Sequence, residues 1–435
     1  MGRSIRPFEI ALIGIFAIIG LIGLFFLANH QPDSEEARLY GDSVEIWGTF
    51  DRRIVEELLE ELAKTNKAIE VVTYTQVDSR AFGEELVNAI AEGESPDLVI
   101  LPHELLVAYR TKLQAISSET IDPRTFRDTY VDGAEIFLRS DGVYGIPFAV
   151  DPLVMYWNRD IFSGSGLALP PKTWETLVSQ TVQATVRTDD RYNLTQSAVA
   201  FGEYVNIEHA KEVLAMLLMQ AGSNIVEEGG GGYRVTLGDS LQNALSPAEA
   251  VLSFYTQFVV PGKELYSWNR SKRLDRSEFL SGNLALYFGK GSEREALLRE
   301  NSNLNFDAVT VPQGDGATVK RNYGDFYAFS IPRASDNVVG AYAVANVLAD
   351  SVNSKTLADA LGFAPVHRAL YGSAPLDPHQ QVVYQSALIA RGWLDPAPRE
   401  TGEVLKSAVE GLTSGRTRME NVIRDTVQGL EALFK

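Results

Sequence analysis

The chain has 435 residues, 45% hydrophobic and 22% charged, an ordinary globular composition too long for one compact core, so two domains are expected. Fifty-seven acidic residues against 39 basic ones give a net charge of −18, and without a basic tract nucleic acid is not an expected partner. The absence of cysteine excludes disulfides, thiolate metal sites, a cysteine nucleophile and a lipid-modified N-terminal cysteine.

Ile10 to Ala28 is an unbroken apolar run. As a helix it would be about 28 Å long, close to the thickness of a bilayer core. Arg3 and Arg6 precede it and Asp33, Glu35 and Glu36 follow, which places the N-terminus inside and the remainder outside. The alternative is a secretory signal, but a small-x-small cleavage site is missing because Phe26 stands two positions before Ala28. Residues 1–28 are therefore expected to be a transmembrane anchor or uncleaved signal, and 29–42 a tether. The expected location is the cell membrane, single-pass, with the rest on the outer face.

Val44 to Trp47 reads as a strand, and 51–64 as a helix with Ile54, Val55, Leu58, Leu59 and Leu62 on one face. Ile69 to Tyr74 is strand-like, 79–91 helical, and Leu98 to Leu101 another buried-type strand. Strand–helix–strand–helix–strand implies an α/β fold with a parallel sheet. Ligands of such sheets lie beyond the carboxyl ends of the strands, where Trp47 and Asp51 fall. Beyond Phe162 the pattern turns helical. Thr173 is expected to cap one helix and Ser246 another, while His209 to Ala221 is apolar and helical. Strand signals return at Asn305 to Val311 and Asp325 to Ile331, and helices close the chain at about 401–413 and 417–434. This ordering suggests a domain made of discontinuous segments.

Catalytic motifs fail one by one. His103-Glu104 opens like a zinc-protease motif, but Val107 occupies the second histidine position. Gly289-Lys290-Gly291-Ser292 lacks the first glycine of a phosphate loop, since Leu284 stands there, and no Gly-x-Ser-x-Gly elbow occurs. No metal, cofactor or catalytic residue is expected. A pair of glycosidase carboxylates would depend on three-dimensional proximity that sequence does not give.

Four stretches in order carry a resemblance: VEIWGTFD before an amphipathic helix, SPDLVIL, YGIPFAVDPLVMYWNRDIF followed by LPPKTWETLV, and FLSGNLALYFGKGSE with NLNFDAVTVPQ behind it. Together they resemble the extracellular solute-binding proteins of ABC importers, family 1, maltose-binding-protein-like. The resemblance covers roughly Ser43 to Tyr371; the lipobox cysteine is absent and the four-glycine turn at 229–232 is not a family feature. It implies a class II, two-lobed periplasmic-binding-protein-like fold. Lobe 1 would be 43–149 plus 312–360 and lobe 2 150–311 plus 361–435. The implied function is capture of a mono- or oligosaccharide between the lobes for an ABC permease, by a monomer and without catalysis. A surface-anchored carbohydrate-active enzyme, or a sensor or adhesion module on the same fold, is the alternative.

Sugars offer hydroxyls and flat C–H faces, so acids, amides and aromatic plates are the candidates. Asp151, between Pro147 and Pro152, would lie at the cleft floor if its strand is a crossover; otherwise it caps the next helix or pairs with Arg159. Trp47, Asp51, Tyr156, Trp268, Asn269, Tyr287, Lys290, Tyr323 and Asp325 complete the candidate ligand-binding set. By alternation only one of Tyr287 and Phe288 should reach the cleft, and Tyr323, Asp325 and Tyr327 should share a face.

Overall fold

Strand β1 (Val44–Gly48) buries every second residue, and Asp51 caps helix α1 (Arg52–Ala63) by accepting the Arg53 N–H, so the first βα unit forms where its pattern and cap put it. The computed structural model describes residues 43–191, 193–230, 232–239 and 245–435. The apolar run 10–28 and the tether 29–42 lie outside them, and no described helix is long and apolar enough to cross a membrane.

Strand β2 (Val72–Gln76), helix α2 (Phe82–Glu92) and strand β3 (Leu98–Pro102) follow, and β2 and β3 pair with β1 in parallel. The long strand β4 (Ile146–Asn158) is buried at all 13 positions. After it come β5 (Leu194–Val199), helix α3 (Ala210–Gln220), the hairpin β6 (Val226–Gly229) and β7 (Gly232–Val235), and helix α4 (Pro247–Thr256). Strands β8 (Leu284–Lys290), β9 (Phe306–Val309) and β10 (Asn322–Ser330) complete the main sheet, which runs β2-β1-β3-β10-β4-β8-β5. Helices α5 (Val338–Leu348), α6 (Ser351–Leu361), α7 (Pro378–Leu388), α8 (Pro398–Thr413) and α9 (Met419–Ala432) end the chain.

The result is a two-lobed α/β fold strung on β4. The first half of β4 pairs with β10 on one edge and with Ala364–Pro365 on the other; the second half pairs with β8 and β9. The change of partner falls at Pro152, which is opposite Gly324 of β10, while Leu153 is opposite Lys290 of β8. A residue with no N–H to donate is tolerated where two ladders meet. Helix α6 packs on α1 and β4, and the Val131 N–H bonds the Val366 carbonyl, so the chain just past residue 360 still sits on the β1–β3 side.

Thr173 and Ser246 cap their helices as expected, accepting the N–H groups of Thr176 and Glu249. Tyr287 and Phe288 pack against different neighbours, as alternation requires. Both are buried, Tyr287 against Tyr156 and Phe279, Phe288 against Trp174 and Phe201. Strand β8 is covered on both faces, and in such a strand alternation selects between two interiors rather than between core and solvent.

Candidate functional site

Asp151 of β4 and Asp325 of β10 are opposite each other in register, at the point where β4 changes partner. Directly opposed residues of a sheet project to the same face. Asp151 is 5% exposed. It neither caps the following helix nor pairs with Arg159: Asn158 supplies that cap, and Arg159 lies over the Trp157 ring. Its partner is Ser292, whose hydroxyl donates to Oδ2 at 2.5 Å and whose N–H donates to Oδ1 at 3.2 Å. Burial raises the Asp151 pKa to about 7, against the opposing pull of Lys290 and Ser292.

Asp325 is held the other way. Burial would raise it, but the Lys290 ammonium at 2.7 Å, with help from His103 and the Tyr323 hydroxyl at 2.9 Å, keeps it at about 2. Lys290 also lies over the Tyr323 ring, 4.4 Å from its centroid. Tyr323, Asp325 and Lys290 thus form one contact group, and the Tyr323–Asp325 bond puts those two on one face, while Tyr327 packs against Phe50 and Phe363.

The turn Lys290–Glu293 is fixed from several directions. The Tyr156 hydroxyl donates to the carbonyls of Lys290 and Gly291, at 2.8 and 3.2 Å. The His379 ring bonds the Gly291 carbonyl, and Glu293 accepts the Lys290 N–H at 2.7 Å. Glu293 is in turn bound by the Tyr287 hydroxyl and by His209, each at 2.6 Å. Burial opposes charge in both members of this last pair. Their mutual bond nevertheless lifts His209 to about 9 and lowers Glu293 to about 2. Tyr156 and Tyr287 are consequently supports, stacked on each other with centroids 6.0 Å apart.

The remaining candidates make their contacts elsewhere. Trp47 is half-buried on β1 and donates its indole N–H to Glu45 at 2.9 Å. Asp51 is occupied by capping and by Arg53. Trp268 is fully buried, donating to Asn206, and Asn269 binds Tyr266 and Ser271.

Sequence reasoning weighed His103 and Glu104 only as a metal motif and passed over Lys211 and Asp395 as candidates. His103 and Glu104 follow β3 directly, at the strand end where a ligand is expected; that rule, applied to β3 as it was to β1, would have found them. His103 is buried and its Nδ1 accepts the Phe326 N–H at 3.2 Å, so the ring proton is on Nε2. Burial lowers its pKa to about 4, leaving it neutral. Glu104 pairs with Lys211 of α3 at 3.0 Å, and Lys211 also reaches Asp395 at 3.2 Å. These three come from segments 107 and 184 residues apart, a separation that no sequence spacing encodes. No group of residues suited to hold a metal ion occurs among the described residues.

The profile of the bacterial extracellular solute-binding proteins matches residues 50–353. A Brucella abortus (strain 2308) protein described only as a binding protein is 21% identical over 368 residues, covering 81% of this chain and 83% of the relative. Among solved structures, a cyclo/maltodextrin-binding protein complexed with maltotetraose superposes with a TM-score of 0.71 at 17% identity, over 90% of this chain and 97% of its own. An ABC-transporter solute-binding protein from Thermotoga lettingae TMO, bound with α-D-tagatose, gives 0.65 at 17% identity, over 91% and 100%.

Proposed function

The chain belongs to the bacterial extracellular solute-binding protein family, and from that premise we propose that it captures a mono- or oligosaccharide between its lobes for import by an ABC permease. The observation that carries this reading is the group Asp151, Lys290, Tyr323 and Asp325 at the handover of β4 from β10 to β8. An ionised carboxylate accepts two hydroxyls, an ammonium donates to ring oxygens or hydroxyls, and charge-assisted bonds are the stronger ones. Trp47, as an aromatic plate, and Asp51 would add contacts beyond the end of β1, with Asn269 contributing from the facing lobe; Trp268, fully buried, has no face left for a solute. Tyr156 and Tyr287 hold the Lys290 turn in place. Closure then follows from the extra contacts the solute makes in the closed state.

In this reading residues 43–149 and 312–360 form the first lobe and 150–311 and 361–435 the second, with the stretch after 360 crossing the surface of the first before joining the second. The protein acts as a monomer. Residues 10–28 anchor it in the bilayer and 29–42 tether it, so that it stays near its permease on the outer face.

One observation favours a second reading, glycoside hydrolysis: two opposed carboxylates with pKa values of about 7 and about 2 are the pattern of an acid and its partner. Both are already engaged, Asp151 by Ser292 and Asp325 by Lys290, and this favours capture. The deciding experiment follows melting temperature and tryptophan fluorescence of the full chain against mono- and oligosaccharides, amino acids and peptides. A solute at about 100 Kd should add about 2.7 kcal/mol of stability. A sugar that binds and is recovered intact supports capture, a cleaved glycan supports hydrolysis, and binding confined to peptides or amino acids removes the carbohydrate assignment.

A further inference from the structure

A cavity of about 620 Å³ lies apart from the Asp151–Asp325 cluster, between the segment around Arg139, the end of α3 with the β6 strand, and a floor of Arg391 to Leu394. Gly392 of that floor has the cavity on one side and His103 on the other; a Cβ there would come within 2.3 Å of the imidazole Cδ2. None of Asp151, Lys290 and Asp325 lines the cavity.

The charges around this cavity do not balance. Each lining carboxylate already has an arginine: Asp132 has Arg391 and Arg368, and Glu228 has Arg110 at 2.5 Å and Arg139 at 3.3 Å. Glu135 has Arg127 and Glu227 has Arg234. Among the described residues Arg321 has none; the one bond its guanidinium makes to them is to the Lys320 carbonyl. Arg139 Nε is buried without an acceptor among the described residues. Arg391 is pushed below its ordinary pKa by burial and then by the neighbouring Arg321. An uncompensated cation, a buried donor without an acceptor and two adjacent like charges call for the same complement, an oxyanion. The volume falls in the range of small-molecule sites, larger than a bare inorganic ion requires.

We propose that this cavity is a second binding site, for a small organic polyanion held by Arg321 and Arg139. Its ligand is distinct from the solute of the cleft, so the site stands or falls independently of the carbohydrate reading.

The test is calorimetric titration of the full chain with citrate and, separately, glucose 6-phosphate at low ionic strength, which also tells carboxylate from phosphate ester. Saturable binding of either is expected, about tenfold weaker in Arg321→Gln and unchanged in Arg424→Gln, an exposed control. Arg139→Lys keeps the charge facing Glu228 but removes the Nε–H and should also weaken binding, so the outcome does not hang on one variant folding. No saturable binding of either anion up to about 10 mM overturns the proposal. So does equal affinity in wild type, Arg321→Gln and Arg139→Lys.

Discussion

Replacing Lys290 by Met tests the central ion pair. The Lys290 side chain is 9% exposed and that of Asp325 20%, with Nζ 2.7 Å from Oδ2. Met nearly fills the volume of the aliphatic stem, so the loss is one of charge. Asp325 keeps the Tyr323 hydroxyl but loses the Lys290 ammonium. Breaking a buried pair from one side costs about 3–5 kcal/mol, and the partial exposure of Asp325 puts the expected loss near the lower end, about 3 kcal/mol. The pH dependence gives the sharper check. In the wild type the Asp325 carboxyl is held at about 2, below its unfolded value, so its stabilisation is complete above that unfolded value and lost only as pH falls towards 2. Without Lys290, burial prevails and the carboxyl rises above the ordinary range. The folded variant then takes up a proton on mild acidification that the wild type does not. Its deficit is therefore largest at about pH 8 and smaller at about pH 5. Urea unfolding followed by tryptophan fluorescence at both pH values measures it. Asp325→Asn and the double variant close a cycle in which the double loss should fall short of the sum by at least about 1 kcal/mol. Equal deficits at the two pH values, together with additive losses, would refute the pairing as the source of the effect.

Asp151→Asn should flatten the stability profile above about pH 4. The wild-type carboxyl has a folded pKa of about 7, above its unfolded value, so its contribution is complete below the unfolded pKa and declines as pH rises through 7. Melting curves across that window check this, and an unchanged slope in the variant would locate the dependence elsewhere. For the His209–Glu293 pair, the histidine contribution is complete below about 6.5 and lost as pH rises through about 9. His209→Gln should accordingly destabilise at neutral pH, by about 3 kcal/mol, and differ little from wild type above pH of about 10, which thermal unfolding can measure. Gly392→Ala places a carbon against a ring already pinned by the Phe326 N–H. A loss of about 1–3 kcal/mol in urea unfolding is expected, and a neutral result would mean that the His103 region yields.

Much of the architecture was legible because it is local. The periodicity of 51–64 and the caps at Thr173 and Ser246 depend on residues within a turn of one another, and the structure places these helices accordingly. The YGIPFAVDP stretch carried part of its message: Pro152 falls where β4 changes partners, but Asp151 lies in a strand buried at all 13 positions, its carboxylate bound by Ser292. What sequence could not supply was the partner of each charge. Asp151 meets Ser292 across 141 residues, and Lys211 meets Asp395 across 184. Such pairings are set by the return of distant strands to one sheet, and by the burial that follows. Tyr287 illustrates the same limit, since alternation assigns a residue to a face but only the packed fold decides whether that face meets water or a second layer. Sequence thus determined the helices and their caps, because those interactions reach only a few residues. The tertiary structure decided which charges are compensated, because that depends on the low dielectric and exact company created when both lobes assemble around β4.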